Sequence, residues 1–173
     1  MQLENDTNIQ FSGLKPGTYT YRYTLDETFF GEYENEELRE GKVIFEVSME
    51  RSERMLLFTF VYHGNIKTTC DRCLGEMEIP VDGEERLCVK FSDTETSDDE
   101  DVVILPESAY QIDIAQWMYE YVAIAMPIQK VHPEGECDPE MLKYLSEMNE
   151  EERENTTGET DPRWDALKQL MEK

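Results

Sequence analysis

The amino-acid sequence predicts an α+β fold: an antiparallel β-meander packed against a C-terminal set of about three helices. Three observations carry this. Alternating apolar and polar residues fill much of the chain up to Phe91, helical periodicity takes over beyond an acidic loop at 93–101, and two Asp-Pro pairs mark further helix starts.

In TYTYRYTL, Tyr19, Tyr21, Tyr23 and Leu25 alternate with Thr18, Thr20, Arg22 and Thr24, the period of a half-buried strand. An acidic connection leads into KVIFEVSME, where Val43, Phe45, Val47 and Met49 repeat the pattern. MLLFTFVY, Met55 to Tyr62, is apolar on both faces and belongs at the centre of the sheet. His63-Gly64-Asn65 reads as a turn that sends the chain back through IKTTC. CLGEMEIPV and EERLCVKF then read as a hairpin joined at Asp82-Gly83. A two-residue loop there puts Met77, Ile79 and Val81 opposite in facing to Leu87, Val89 and Phe91. A three-residue connection or a bulge brings all six to one side, so that is the prediction, with Cys88 pointing away from the core.

In DIAQWMYEYVAIAMP, Ile114, Trp117, Met118, Tyr121, Val122 and Ala125 form one helical stripe, with Asp113 and Gln116 spaced for a capping box and Pro127 ending the run. Asp138-Pro139 opens a second helix that presents Met141, Tyr144, Leu145 and Met148, and Asp161-Pro162 opens a third with Trp164, Leu167 and Met171. The expected organisation is a single α+β domain over 1–145, an acidic flexible linker at 146–160 and a C-terminal helix at 161–173.

The 173 residues carry 40 acids against 16 Lys and Arg, a formal net charge of -24. Each phosphate contact needs a local Lys or Arg, so this excess argues against a broad grip on nucleic acid and favours basic protein partners. The densest acidic runs, 93–101 and 146–161, read as solvating segments. The first residues carry acids where a secretory signal carries bases, and no run approaches the ~18 apolar residues of a membrane span. The expected location is the cytoplasm, where four cysteines suit thiols or metal ligands better than disulfides.

Cys70 and Cys73 form a C-x-x-C between two strand patterns, a turn that aims two sulfurs at one point and serves as half of a tetrahedral zinc site. MPIQKVHPEGEC offers the other half as His132 and Cys137, giving a Cys3His set for a structural zinc that leaves Cys88 out. Two other readings stand beside it. The thiols are reduced packing residues with His132 in a loop, or Cys70 and Cys73 are a redox couple, although such a pair normally opens a helix in a βαβ setting. There is no G-x-x-x-x-G-K-[ST], G-x-G-x-x-G or H-E-x-x-H, and only His63 and His132 are available as bases, so no enzymatic activity is expected.

C-D-R-C-L from Cys70 to Leu74, a helix ending in A-M-P at Pro127, His132 and Cys137 before a capped helix, and the closing D-P-R-W-D-A-L-K-Q-L together resemble the YceD family of bacterial large ribosomal RNA subunit accumulation proteins. The resemblance implies a cytoplasmic, non-enzymatic factor needed for normal accumulation of large-subunit ribosomal RNA. Joined to the charge, it points to a basic ribosomal protein or a large-subunit assembly intermediate as partner, met by the acidic segments or the Trp164 helix, with Arg72 on the knuckle as another contact. The rivals are a thiol-disulfide protein using Cys70 and Cys73, and an acidic mimic of nucleic acid.

Overall fold

The computed structural model describes residues 6–35, 38–94 and 102–156, with side chains as far as Met148. In chain order the elements are β1 (Asn8–Gln10), β2 (Gly17–Leu25), α1 (Glu27–Phe30), β3 (Glu40–Arg51), β4 (Met55–Thr69), β5 (Glu76–Phe91), β6 (Val102–Leu105), β7 (Gln111–Asp113), α2 (Ala115–Ala125) and α3 (Pro139–Thr156). Strands β2 to β6 form one sheet in sequential order, and β1 pairs with β7 in a short ribbon. The α+β class holds, with α2 and α3 in the C-terminal half as expected.

The alternation read in β2 and β3 decides which residues meet the core. Tyr23 and Leu25 on β2, and Val43, Phe45, Val47 and Met49 on β3, are all buried on one face. β4 is the central strand, and its Leu56, Phe58, Phe60, Tyr62 and Ile66 continue that face. Helix α2 closes it with Met118 and Val122, and with Ile114 at its N-cap, each with no exposed surface. Burying a side chain of this size contributes roughly 1.5–3 kcal/mol. Asp26 caps α1 by accepting from the amides of Thr28 and Phe29 and so seats Phe30 in the same core.

Both turns expected inside the meander are absent. His63-Gly64-Asn65 lies within β4, and Asp82-Gly83 lies within β5, where His63 pairs with Asp82 and Tyr62 with Gly83. The glycines serve close backbone approach rather than reversal: a Cβ on Gly64 would strike the Lys42 carbonyl of β3, and one on Gly83 would meet the Tyr62 ring. With β5 unbroken over 16 residues, Met77, Ile79, Val81, Leu87, Val89 and Phe91 share a face by simple parity, with no bulge.

Three further differences concern the chain beyond β5. The sheet is not wholly antiparallel, because β6 adds in parallel beside Cys88 to Phe91. The expected capping box on α2 does not form: Asp113 accepts from the Ala115 amide, but the Gln116 side chain turns to Glu120. Asp138 does cap α3, accepting from the Glu140 amide at 2.8 Å. That helix runs on to Thr156, so residues 146–156 of the expected linker are helical. The acidic run at 95–101 and the 161–173 helix with Trp164 lie outside the described residues.

Candidate metal centre

The long ladder between β4 and β5 ends at the pair Thr69 and Glu76, which leaves residues 70–75 to close the hairpin. The Cys70 amide donates to the Gly75 carbonyl at 2.8 Å, and the Leu74 amide donates to the Cys70 carbonyl at 2.9 Å. Leu74 takes a left-handed conformation, φ 57°, which is uncommon for a residue with a side chain and keeps the knuckle tight enough to aim both sulfurs inward. The predicted C-x-x-C turn between antiparallel strands is therefore present.

The second half arrives from the segment between α2 and α3. Met126 is extended before Pro127, which stops α2. Beyond it, Gly135 at φ 90° and a bond from the Glu136 amide to the Pro133 carbonyl reverse the chain, so that Cys137 returns toward His132 just ahead of the Asp138 cap.

The four side chains meet. Cys73 Sγ lies 3.3 Å from His132 Nδ1, Cys137 Sγ lies 3.9 Å from the same nitrogen, and Cys70 Sγ lies 3.9 Å from Cys137 Sγ. All four ligand atoms fall within 4.8 Å of one another. A tetrahedral zinc with bonds of about 2.3 Å to sulfur and 2.0 Å to nitrogen requires edges of about 3.8 Å and 3.5 Å, so this set fits with little movement. All four cysteines are free thiols. Cys88 pairs with Leu57 far up the ladder, twelve residues beyond Glu76, or roughly 40 Å along the strand, so it takes no part.

His132 is oriented for this role. Its Nε2 is 3.1 Å from the Glu76 carbonyl, which can only accept, so Nε2 carries the hydrogen and the Nδ1 lone pair faces the sulfurs. The Cys73 sulfur beside the ring then raises the histidine pKa. Burial acts to raise the Cys70 thiol, but amides of Cys73, His132 and Arg72 outweigh it and bring the value down to about 6. Amides of Asp138 and Gly75 lower Cys73, whereas burial pushes Cys137 up. At Cys70 and Cys73 the arrangement thus stabilises negative charge on sulfur, as a cation site requires.

A polar clamp beside the cluster had no sequence signal, because its members are 59 residues apart. The Asp71 amide donates to the Lys130 carbonyl and the Lys130 amide donates to Asp71 Oδ2, both at 2.7 Å. The Lys130 ammonium, almost buried, lies 3.8 Å from Asp71 Oδ1. Arg72, read as a partner contact, donates to the His132 carbonyl at 3.0 Å while remaining exposed. Asp71, Arg72, Gln129, Val131 and Leu145 line a shallow groove of about 520 Å³ beside it. Met77, Val131, Met141 and Leu142 pack on the thiols, so the cluster joins the tip of the hairpin to the start of α3.

No curated protein and no solved structure matched the chain. A family model did, and its span of residues 58–171 includes Cys70, Cys73, His132 and Cys137, the two halves of the cluster. The model is that of Large ribosomal RNA subunit accumulation protein YceD. With about two thirds of its length matched, the chain belongs to the YceD family.

Proposed function

We propose that this protein is a non-enzymatic, cytoplasmic assembly factor that supports large-subunit ribosomal RNA accumulation by holding a basic ribosomal protein or assembly intermediate. Its Cys3His centre is a structural zinc site. The observation that carries the reading is the family match, which spans β4 from Phe58, all of β5 and the whole cluster. The charge of -24 supports a protein partner over direct contact with RNA. Zinc suits three thiolates and one imidazole in a tetrahedron, and there it locks the hairpin tip to the helical half.

The rival readings fare less well against particular features. A lowered Cys70 thiol also suits redox chemistry, but Cys70, Cys73 and Cys137 are only 0, 4 and 6% exposed, and a substrate disulfide has no line of approach. A nucleic-acid mimic needs a uniformly acidic rigid surface. The outward face of this sheet instead interleaves Arg22, Lys42, Lys67, Arg86 and Lys90 with its acids.

The test is depletion of the protein in its source cells, reading the ratio of large- to small-subunit ribosomal RNA. A selective fall in the large-subunit species, restored by the wild-type chain, is expected. Purified basic large-subunit proteins should also form a salt-sensitive complex with it. An unchanged ratio overturns the assembly role, and the absence of any such complex overturns the partner assignment.

A further inference from the structure

Strand β5 is paired with β4 from Glu76 to Lys90, but on its other side β6 covers only Cys88 to Phe91. Among the described residues, 77–87 therefore form an open edge, about eleven residues and roughly 33 Å long, starting just past the Glu76 carbonyl that meets His132. Pro80 fixes the orientation of its backbone. A proline is tolerated in a ladder only where its missing N–H faces away from the paired strand, and alternation then turns the N–H and C=O of Glu78, Asp82, Glu84 and Arg86 outward as well.

The side chains along this edge have one dominant sign. Glu76, Glu78, Asp82 and Glu84 are exposed at even positions on the outward face, and the sole basic residue among 76–87, Arg86, is held by Glu84 at 3.2 Å. Like charges and a proline protect an edge from pairing with a second copy of itself. The same row attracts a strand of opposite charge.

We propose that the β5 edge is a strand-addition site for an extended basic segment of the partner protein, with Lys or Arg at alternate positions. The added strand makes main-chain hydrogen bonds to the outward groups of residues 78–86, and its basic side chains face Glu78, Asp82 and Glu84. A spacing of two residues, roughly 6.6 Å, matches the acids on one side to the cations on the other. This deepens the partner reading above and rests on it only for the identity of the protein that supplies the segment.

Two labelled peptides of equal charge and composition test it on the full-length protein: KTKVKTKVK, which alternates, and KKKKKTVTV, which does not. Fluorescence anisotropy should show clearly tighter binding of the alternating peptide, and NMR hydrogen exchange should slow at the amides of Glu78, Asp82, Glu84 and Arg86 but not at Val81. Glu84→Pro removes one outward amide with no ladder bond lost, and Glu84→Gln removes only the charge. The proline variant should bind about five-fold more weakly than the glutamine variant, the effect of one lost hydrogen bond. Equal binding of the two peptides, equal binding by the two variants, or self-association of the protein through this edge would each overturn the proposal. If an intact ribosomal protein binds in a salt-sensitive way while neither peptide does, strand addition fails and the assembly reading stands.

Discussion

Gly83→Ala gives a direct test of how β5 is built. The residue faces the core side of the sheet opposite Tyr62, and an added Cβ would lie 2.5 Å from the Tyr62 Oη and 2.6 Å from its Cζ. The ring has nowhere to retreat: it stacks on Phe45 at 4.8 Å, donates to the Tyr121 carbonyl at 3.2 Å and is 3% exposed. Overpacking of this kind costs about 1–3 kcal/mol, and a broken Tyr62 hydrogen bond adds about 1, so the expected loss is about 2–4 kcal/mol. In a Tyr62→Leu background the colliding atoms are gone, and Gly83→Ala should cost less than about 1 kcal/mol. Urea unfolding of the four proteins, followed by circular dichroism at fixed zinc concentration, supplies the cycle. Were Asp82-Gly83 a reverse turn after all, alanine would cost about 1 kcal/mol through its backbone in both backgrounds. Equal costs would refute the continuous strand.

The other predictions concern the cluster. Protein purified without chelator should carry one equivalent of zinc by metal analysis; Cys70→Ser or Cys137→Ser should bring it below a tenth, while Cys88→Ser leaves it unchanged. Asp71→Ala removes the acceptor for the Lys130 amide and should weaken zinc about ten-fold in a chelator competition, the lower end for groups that orient ligands from behind. In reduced, metal-free protein, Cys70 is held at about 6 against an ordinary 9.0, so between those values the unfolded chain binds the extra proton and stability rises with pH. This contribution is full above pH 9 and lost as pH falls through about 6. The urea midpoint difference between wild type and Cys70→Ser should therefore widen from pH 6 toward 9, and a constant difference would contradict the lowered thiol.

Much of this architecture was legible because it rests on short-range rules. Period-2 runs located β2 and β3, a run apolar on both faces located the start of β4, the Ile114 to Ala125 stripe located α2, and two cysteines flanked by strand patterns meant a knuckle. His132 and Cys137 were found by ligand chemistry alone, without knowledge of the path between. The two misplaced turns share one cause, the weight given to glycine as a turn former. Gly64 and Gly83 sit within the β4–β5 ladder, where what matters is a neighbour from a distant part of the chain, Lys42 for one and Tyr62 for the other. VVIL at 102–105 is too short to announce itself as a strand and depends on β5 for its pairing. The Asp71–Lys130 clamp is similarly invisible until the fold has joined its halves.

The knuckle also bears on the order in which the chain becomes structured. It closes the longest ladder of the sheet across only the residues 70–75, so pairing can begin at Thr69 and Glu76 and proceed zipper-like toward Met55 and Lys90 at little loop entropy. The attachment of β6 must wait for that zipper to reach Cys88, and His132 must be brought in across an interval of 59 residues from Cys73. A zinc ion caught first by the two knuckle thiols would thus act early on the hairpin and late on the helical half. Folding in zinc-free buffer should slow the hairpin's appearance as well as the final docking.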